Sequence, residues 1–67
     1  MFKKYCYIAV KCDKHVYGVS VDTGCMFDAL NLVNNRLEKK GTILYFARIS
    51  KKQYLLHKEL SEVADGN

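Results

Sequence analysis

The sequence predicts a single α+β domain of the order ββαβα, with a three-stranded antiparallel sheet in the strand order 2-1-3. Three observations carry this expectation. Two adjacent segments alternate with period two and mate in one register; the segment after them repeats with period 3.6; and an apolar run then leads into a second helix-start signal. With 67 residues, one domain spanning 1–67 is the only count that fits. Hydrophobic residues make up 49% and charged residues 27%, an ordinary globular balance. A chain this short buries only about 60% of its unfolded surface, so a few kcal/mol of stability is expected, with no room for a nucleotide-binding sheet or a barrel.

Tyr5 to Cys12 reads as the first strand. Cys6, Ile8, Val10 and Cys12 point one way; Tyr5, Tyr7, Ala9 and Lys11 point the other. Val16 to Asp22 repeats the pattern, with Asp13-Lys14 as the turn between. If Cys12 faces His15, then Val10 meets Tyr17, Ile8 meets Val19 and Cys6 meets Val21. A slip of one residue would mismatch every pair. Asp22 or Thr23 is then placed to cap a helix from about Cys25 to Lys40, with Met26, Leu30, Val33 and Leu37 on its inner stripe. Asp28 suits its first turn, Lys39-Lys40 its last, and Gly41 the left-handed residue that closes it.

Thr42 to Ile49 is the third strand and is apolar on both sides. Strict alternation puts Leu44 and Phe46 toward the first helix, and Ile43, Tyr45, Ala47 and Ile49 away from it. Ser50-Lys51-Lys52-Gln53 spells a capping box, with Ile49 and Tyr54 as its hydrophobic staple. A second helix is expected from Lys51 to Val63, carrying Leu56, Leu60 and Val63 inward, followed by a frayed tail from Asp65 to Asn67. One sheet face lies under the long first helix. The other collects Tyr5, Tyr7, Ala9, Ile43, Tyr45 and Ala47, with Lys11 and Arg48 at its margin, and needs an occupant: the second helix, a partner or a copy of the chain.

Three cysteines cannot all pair within one chain, which points to reduced thiols and a cytoplasmic setting. No apolar stretch approaches the ~20 residues of a membrane span. Neither a signal peptide nor a cleavage site is evident, so the sequence is expected to be complete as written. Asp22-Thr23-Gly24 resembles the active-site tripeptide of aspartic proteases. That chemistry needs two carboxylates sharing a proton, hence a symmetric dimer of a longer β chain with a flap, and here a helix follows at once. Cys12-Asp13-Lys14-His15 offers one close ligand pair, with Cys25 and His57 as further candidates, where structural zinc usually wants two such pairs. Cys25 at a helix start has no histidine placed beside it as a base. The sequence contains no phosphate loop or paired-acid motif. No enzyme activity, cofactor or metal is expected.

Eleven Lys and Arg against seven Asp and Glu give a net charge of +4. Lys51-Lys52 opens a helix, where positive charge is mildly unfavourable, so these two residues are candidates for another role. The function expected is that of a small non-enzymatic interaction protein. It would bind and mask or modulate a macromolecular partner, foremost a protein, through Tyr5, Tyr7, Lys11, Tyr45, Arg48, Lys51 and Lys52. Intracellular inhibitors and adaptors of this size include those that phages and mobile elements direct at host machinery. The alternative is a basic nucleic-acid binder that stacks bases on the tyrosines and holds phosphates with the lysines. A homodimer would also cover the spare face.

Overall fold

The computed structural model of the chain describes residues 3–65. Tyr5–Cys12 (β1) and His15–Val21 (β2) form the hairpin in the register that the alternation demands: Cys6 faces Val21, Ile8 Val19, Val10 Tyr17 and Cys12 His15. Asp13 makes the reversal with φ 58°, a left-handed backbone that Asp adopts more readily than most residues.

Met26–Leu37 forms the first helix, α1, with Asp28 in its first turn and Arg36 in its last. It is shorter than the 25–40 expected. Glu38, not Gly41, takes the left-handed conformation (φ 57°) that ends it, so Lys39 and Lys40 lie beyond the helix. Gly41 is glycine for a different reason. A Cβ there would stand 2.1 Å from Cγ1 of Val10, because the chain passes directly over β1 on its way into the next strand. At the other end neither Asp22 nor Thr23 caps α1. Cys25 holds the cap position with no side-chain bond; Thr23 Oγ1 accepts the Cys25 N–H (3.2 Å) and Asp22 pairs with Lys3 (3.1 Å).

Thr42–Ile49 (β3) pairs antiparallel with β1, but the ladder slips: Ala9 faces Tyr45 while Val10 faces Ile43. Leu44 is the extra residue of this bulge and is 54% exposed. Because one inserted residue flips the facing of what precedes it, Ile43 turns from the tyrosine side to the α1 side. There it packs with Phe46 against the core.

The largest departure comes after β3. Lys51–Leu56 forms a two-turn helix, α2, and Ser61–Asp65 forms a fourth strand, β4, antiparallel to β2. The element order is therefore ββαβαβ and the sheet is β3-β1-β2-β4: the first three strands keep the expected order 2-1-3, and the sheet has four strands rather than three. The expected helix to Val63 gives way because β2 would otherwise expose its outer row of backbone N–H and C=O groups, which β4 satisfies. Leu60 still turns inward, but against the α1 side; Leu56 and Val63 are exposed. Asp65 belongs to β4 rather than to a frayed tail, and the rest of that tail lies outside the described residues.

The core lies between the sheet and α1: Cys6, Ile8, Val10, Val19 and Val21 below, Ala29 and Val33 above. Residues 50–60 must cross from one edge of the sheet to the other, between β3 and β4, and they do so over the tyrosine face. A strap of that length covers only part of a four-stranded surface.

Candidate functional site

The strap sits at one end of the tyrosine face. Ser50 starts α2 with both halves of the capping box: its Oγ accepts the Gln53 N–H (3.2 Å), and Gln53 Oε1 accepts the Ser50 N–H (3.3 Å). Tyr54 then lies on Tyr5, ring centroids 4.7 Å apart, and the His57 ring meets the edge of Tyr7 at 6.0 Å. The His57 carbonyl accepts the Ser20 N–H at 2.6 Å, which ties the end of the helix to β2 just before β4 begins. These contacts dock α2 against β1 and β2, and a cleft of about 320 Å³ remains between the helix and the sheet.

Tyr7, Ser20, Ala47 and Ile49 form the sheet side of the cleft, Gln53 and His57 the helix side, with Tyr45 and Leu56 also lining it. Tyr7 and Tyr45 are neighbours, centroids 6.2 Å apart. Tyr7 reaches this position because Gly18 has no side chain: a Cβ on Gly18 would lie 2.1 Å from the Tyr7 hydroxyl oxygen. Tyr45 is 57% exposed and Leu56 71% exposed. Ser20 is 1% exposed, and its hydroxyl has no hydrogen-bond partner among the described residues.

Of the residues singled out by sequence, Tyr7 and Tyr45 meet at the cleft, and Lys51 and Lys52 stand on the first turn of the helix that roofs it. Neither lysine has an ion-pair partner among the described residues. Tyr5 is taken up by Tyr54. Lys11 lies at the far end of the same face, about 20 Å along β1 from Tyr5 at the usual rise per residue. Arg48 does not lie at the margin of this face. It pairs with Cys6 in the ladder and so projects on the α1 side, as the alternation after the bulge requires. Ser20, Gln53, Leu56 and His57 were not anticipated as site residues. Ser20 was available from the hairpin register as the partner of Tyr7; the other three needed the position of the strap.

The remaining chemistry-bearing groups are held in structural roles. His15 and Glu62 bond across β2 and β4. Asp13 accepts from Lys39 Nζ at 2.8 Å, which keeps its carboxyl below the ordinary range and tethers the hairpin turn near the end of α1. Cys6 and Cys12 are buried and Cys25 is exposed, all three as free thiols. Burial pushes the Cys6 thiol up, partly offset by Arg48. Among the described residues no three His, Cys, Asp or Glu side chains converge as a metal site would require, and no helix is long and apolar enough to cross a membrane. No protein-family model, curated protein or solved structure matches the chain.

Proposed function

We propose that the protein is a small non-enzymatic binding module that docks a macromolecular partner, foremost another protein, at the α2 end of the tyrosine face, and masks or modulates it there. One observation carries this reading: Tyr45 and Leu56, both largely exposed, line a cleft whose interior is mostly apolar. An aromatic and aliphatic cluster of this kind at the surface suits recognition, since aromatic anchors carry much of the energy of protein interfaces. A cytoplasmic setting belongs to the same proposal and accords with three free thiols.

The nucleic-acid reading is weaker. Bases would stack on Tyr7 and Tyr45, but phosphates need a continuous basic track. Arg48 projects from the opposite face and Lys11 lies at the far end of the sheet, leaving Lys51 and Lys52 beside the aromatics.

The test is affinity capture with the wild-type chain and with the Tyr45→Ala/Leu56→Ala double variant, followed by direct titration of the purified partner. The double substitution should abolish capture, while Phe27→Ala, on exposed α1, should leave it intact. Equal recovery with the double variant, its circular dichroism unchanged, overturns the reading. Steep loss of single-stranded oligonucleotide binding with rising salt would favour the second one.

A further inference from the structure

We infer that the outer edge of β3 pairs with β3 of a second copy of the chain, joining two sheets antiparallel about a two-fold axis. This surface is separate from the cleft, so the inference does not rest on the partner-docking reading. β3 ends the sheet beside β1, and among the described residues no backbone bond reaches its other side.

The groups it offers follow from the hairpin. The Ser20 N–H points away from β1, to the His57 carbonyl, so Tyr7 and Ser20 are one of the unbonded pairs of β1 and β2. Tyr7 therefore turns its own N–H and C=O toward β3, where it faces Ala47. Alternation then sends the N–H and C=O of Phe46 and Arg48 outward. An unpaired row of this kind is a template for another strand, and proteins commonly guard it with charge, proline or irregularity. The opposite edge is guarded in this way: β4 has 5 residues, Glu62 and Asp65 among them, and its ladder is broken at Val63. β3 has 8 residues, with Arg48 its sole charge. Its bulge lies toward one end, at Leu44, and leaves 45–49 regular.

Self-complementarity selects the occupant. A two-fold axis at Ala47 sets Phe46 against Arg48 of the second copy, and Arg48 against its Phe46. The outward groups then meet as bonded pairs, and each guanidinium lies beside a ring. On the tyrosine side the same register sets Tyr45 against Ile49 of the second copy, an aromatic and β-branched pair. The two Arg48 side chains are never directly opposed. Paired residues share a face, so both α1 helices fall on one side of the joined sheet and both clefts on the other. Pairing with β4 of a second copy would also bring acid near Arg48, but that head-to-tail contact does not close and grows into chains. The regular stretch is short, so the interface falls below the about 1,200 Å² of standard complexes and the dimer is weak.

The experiment follows the ¹⁵N-labelled full chain by sedimentation velocity and amide hydrogen exchange from about 10 µM to about 1 mM, the range for weak interfaces. The sedimenting species should shift from monomer to dimer. Exchange at the Phe46 and Arg48 amides should slow by about 3- to 10-fold as the dimer fills, while Ala47, already bonded to β1, stays unchanged. Added salt should strengthen the dimer, because each copy carries +4. Arg48→Pro removes an outward N–H without touching the β1 ladder, and should remain monomeric with wild-type circular dichroism. If that variant does not fold, the wild-type exchange pattern decides alone. A wild-type chain that stays monomeric at about 1 mM overturns the inference. So does a folded Arg48→Pro that still dimerises, protection that appears at β4 instead, or growth beyond a dimer. A monomeric wild type that still captures its partner through Tyr45 and Leu56 removes the dimer and leaves the docking reading in place.

Discussion

Under α1 the sheet is closed, with Cys6, Ile8, Val10, Val19 and Val21 almost entirely removed from solvent; across the same strands, Tyr7 and Tyr45 border a cleft and remain partly wet. The difference lies in their lids. α1 is a 12-residue helix, about 18 Å long, laid over the middle of the sheet. α2 has 6 residues, about 9 Å, and spends them crossing between the outer strands. Closing one face supplies stability. Leaving the other half closed keeps aromatic surface available, which is what a docking site needs.

This contrast is open to direct test. Ile8→Ala, at the centre of the closed face, should lose about 2–5 kcal/mol in urea unfolding, enough to unfold much of so small a domain. Tyr45→Ala should stay within about 1 kcal/mol. Comparable losses at the two sites would erase the distinction between them.

The two tightly placed glycines sharpen it further. Gly41→Ala drives a methyl into Val10, a buried β-branched side chain with no room to turn, and should cost about 1–3 kcal/mol. Gly18→Ala meets only the outer end of Tyr7, which can swing toward the open part of its face. Its cost should be clearly the smaller, and the opposite order would mean that the tyrosine side is packed as rigidly as the core.

Ser50→Ala removes the cap of the strap and should cost about 1 kcal/mol. The loss should be local, read as faster amide exchange over 51–56 with little change in β1 or β2. Global loosening of the hairpin would show that α2 supports the closed face as well.

The smallest expected effect is electrostatic. The Asp13 carboxyl is held below its ordinary value of 3.8, first by the hydrogen bond from Lys39 and then by its charge. Its folded form thus binds protons less readily than the unfolded chain, so its stabilisation is present above about pH 4 and fades as pH falls through the folded value. Lys39 and Lys3 are shifted upward from 10.5 by Asp13 and Asp22 respectively, and their contributions disappear only at strongly alkaline pH. Asp13→Asn should slightly flatten the decline of melting temperature between pH 5 and pH 2.5, and added salt should mute the difference, since the pair is fully exposed.

Much of this architecture is legible in the residues. The hairpin register follows from Cys6, Ile8 and Val10 having to face Val21, Val19 and Tyr17, and Ser50 and Gln53 announce their own cap. Where the structure departs from the sequence pattern, the controlling contact is remote. Leu56, Leu60 and Val63 are spaced as a helix would space them, but the unpaired edge of β2 offers residues 61–65 a full ladder of backbone bonds. The bulge at Leu44 has no marker such as glycine, and it alone moves Ile43 to the core side. For the site, Tyr7 and Tyr45 emerge from alternation, and Ser20 from its place opposite Tyr7. Gln53, Leu56 and His57 join them only because the strap crosses at that end.

Local periodicity and the Ser50/Gln53 capping box determined the hairpin register, the existence of α1, the start of α2 and the existence of two apolar sheet faces, because each depends on neighbours within a few residues. The placement of Arg48 on the α1 side likewise follows from plain alternation with Phe46, whereas the fourth strand, the slipped ladder and the cleft itself were decided by tertiary structure. Each turns on which strand edge is left unpaired and how far residues 50–60 can reach, and both quantities exist only once the sheet has formed.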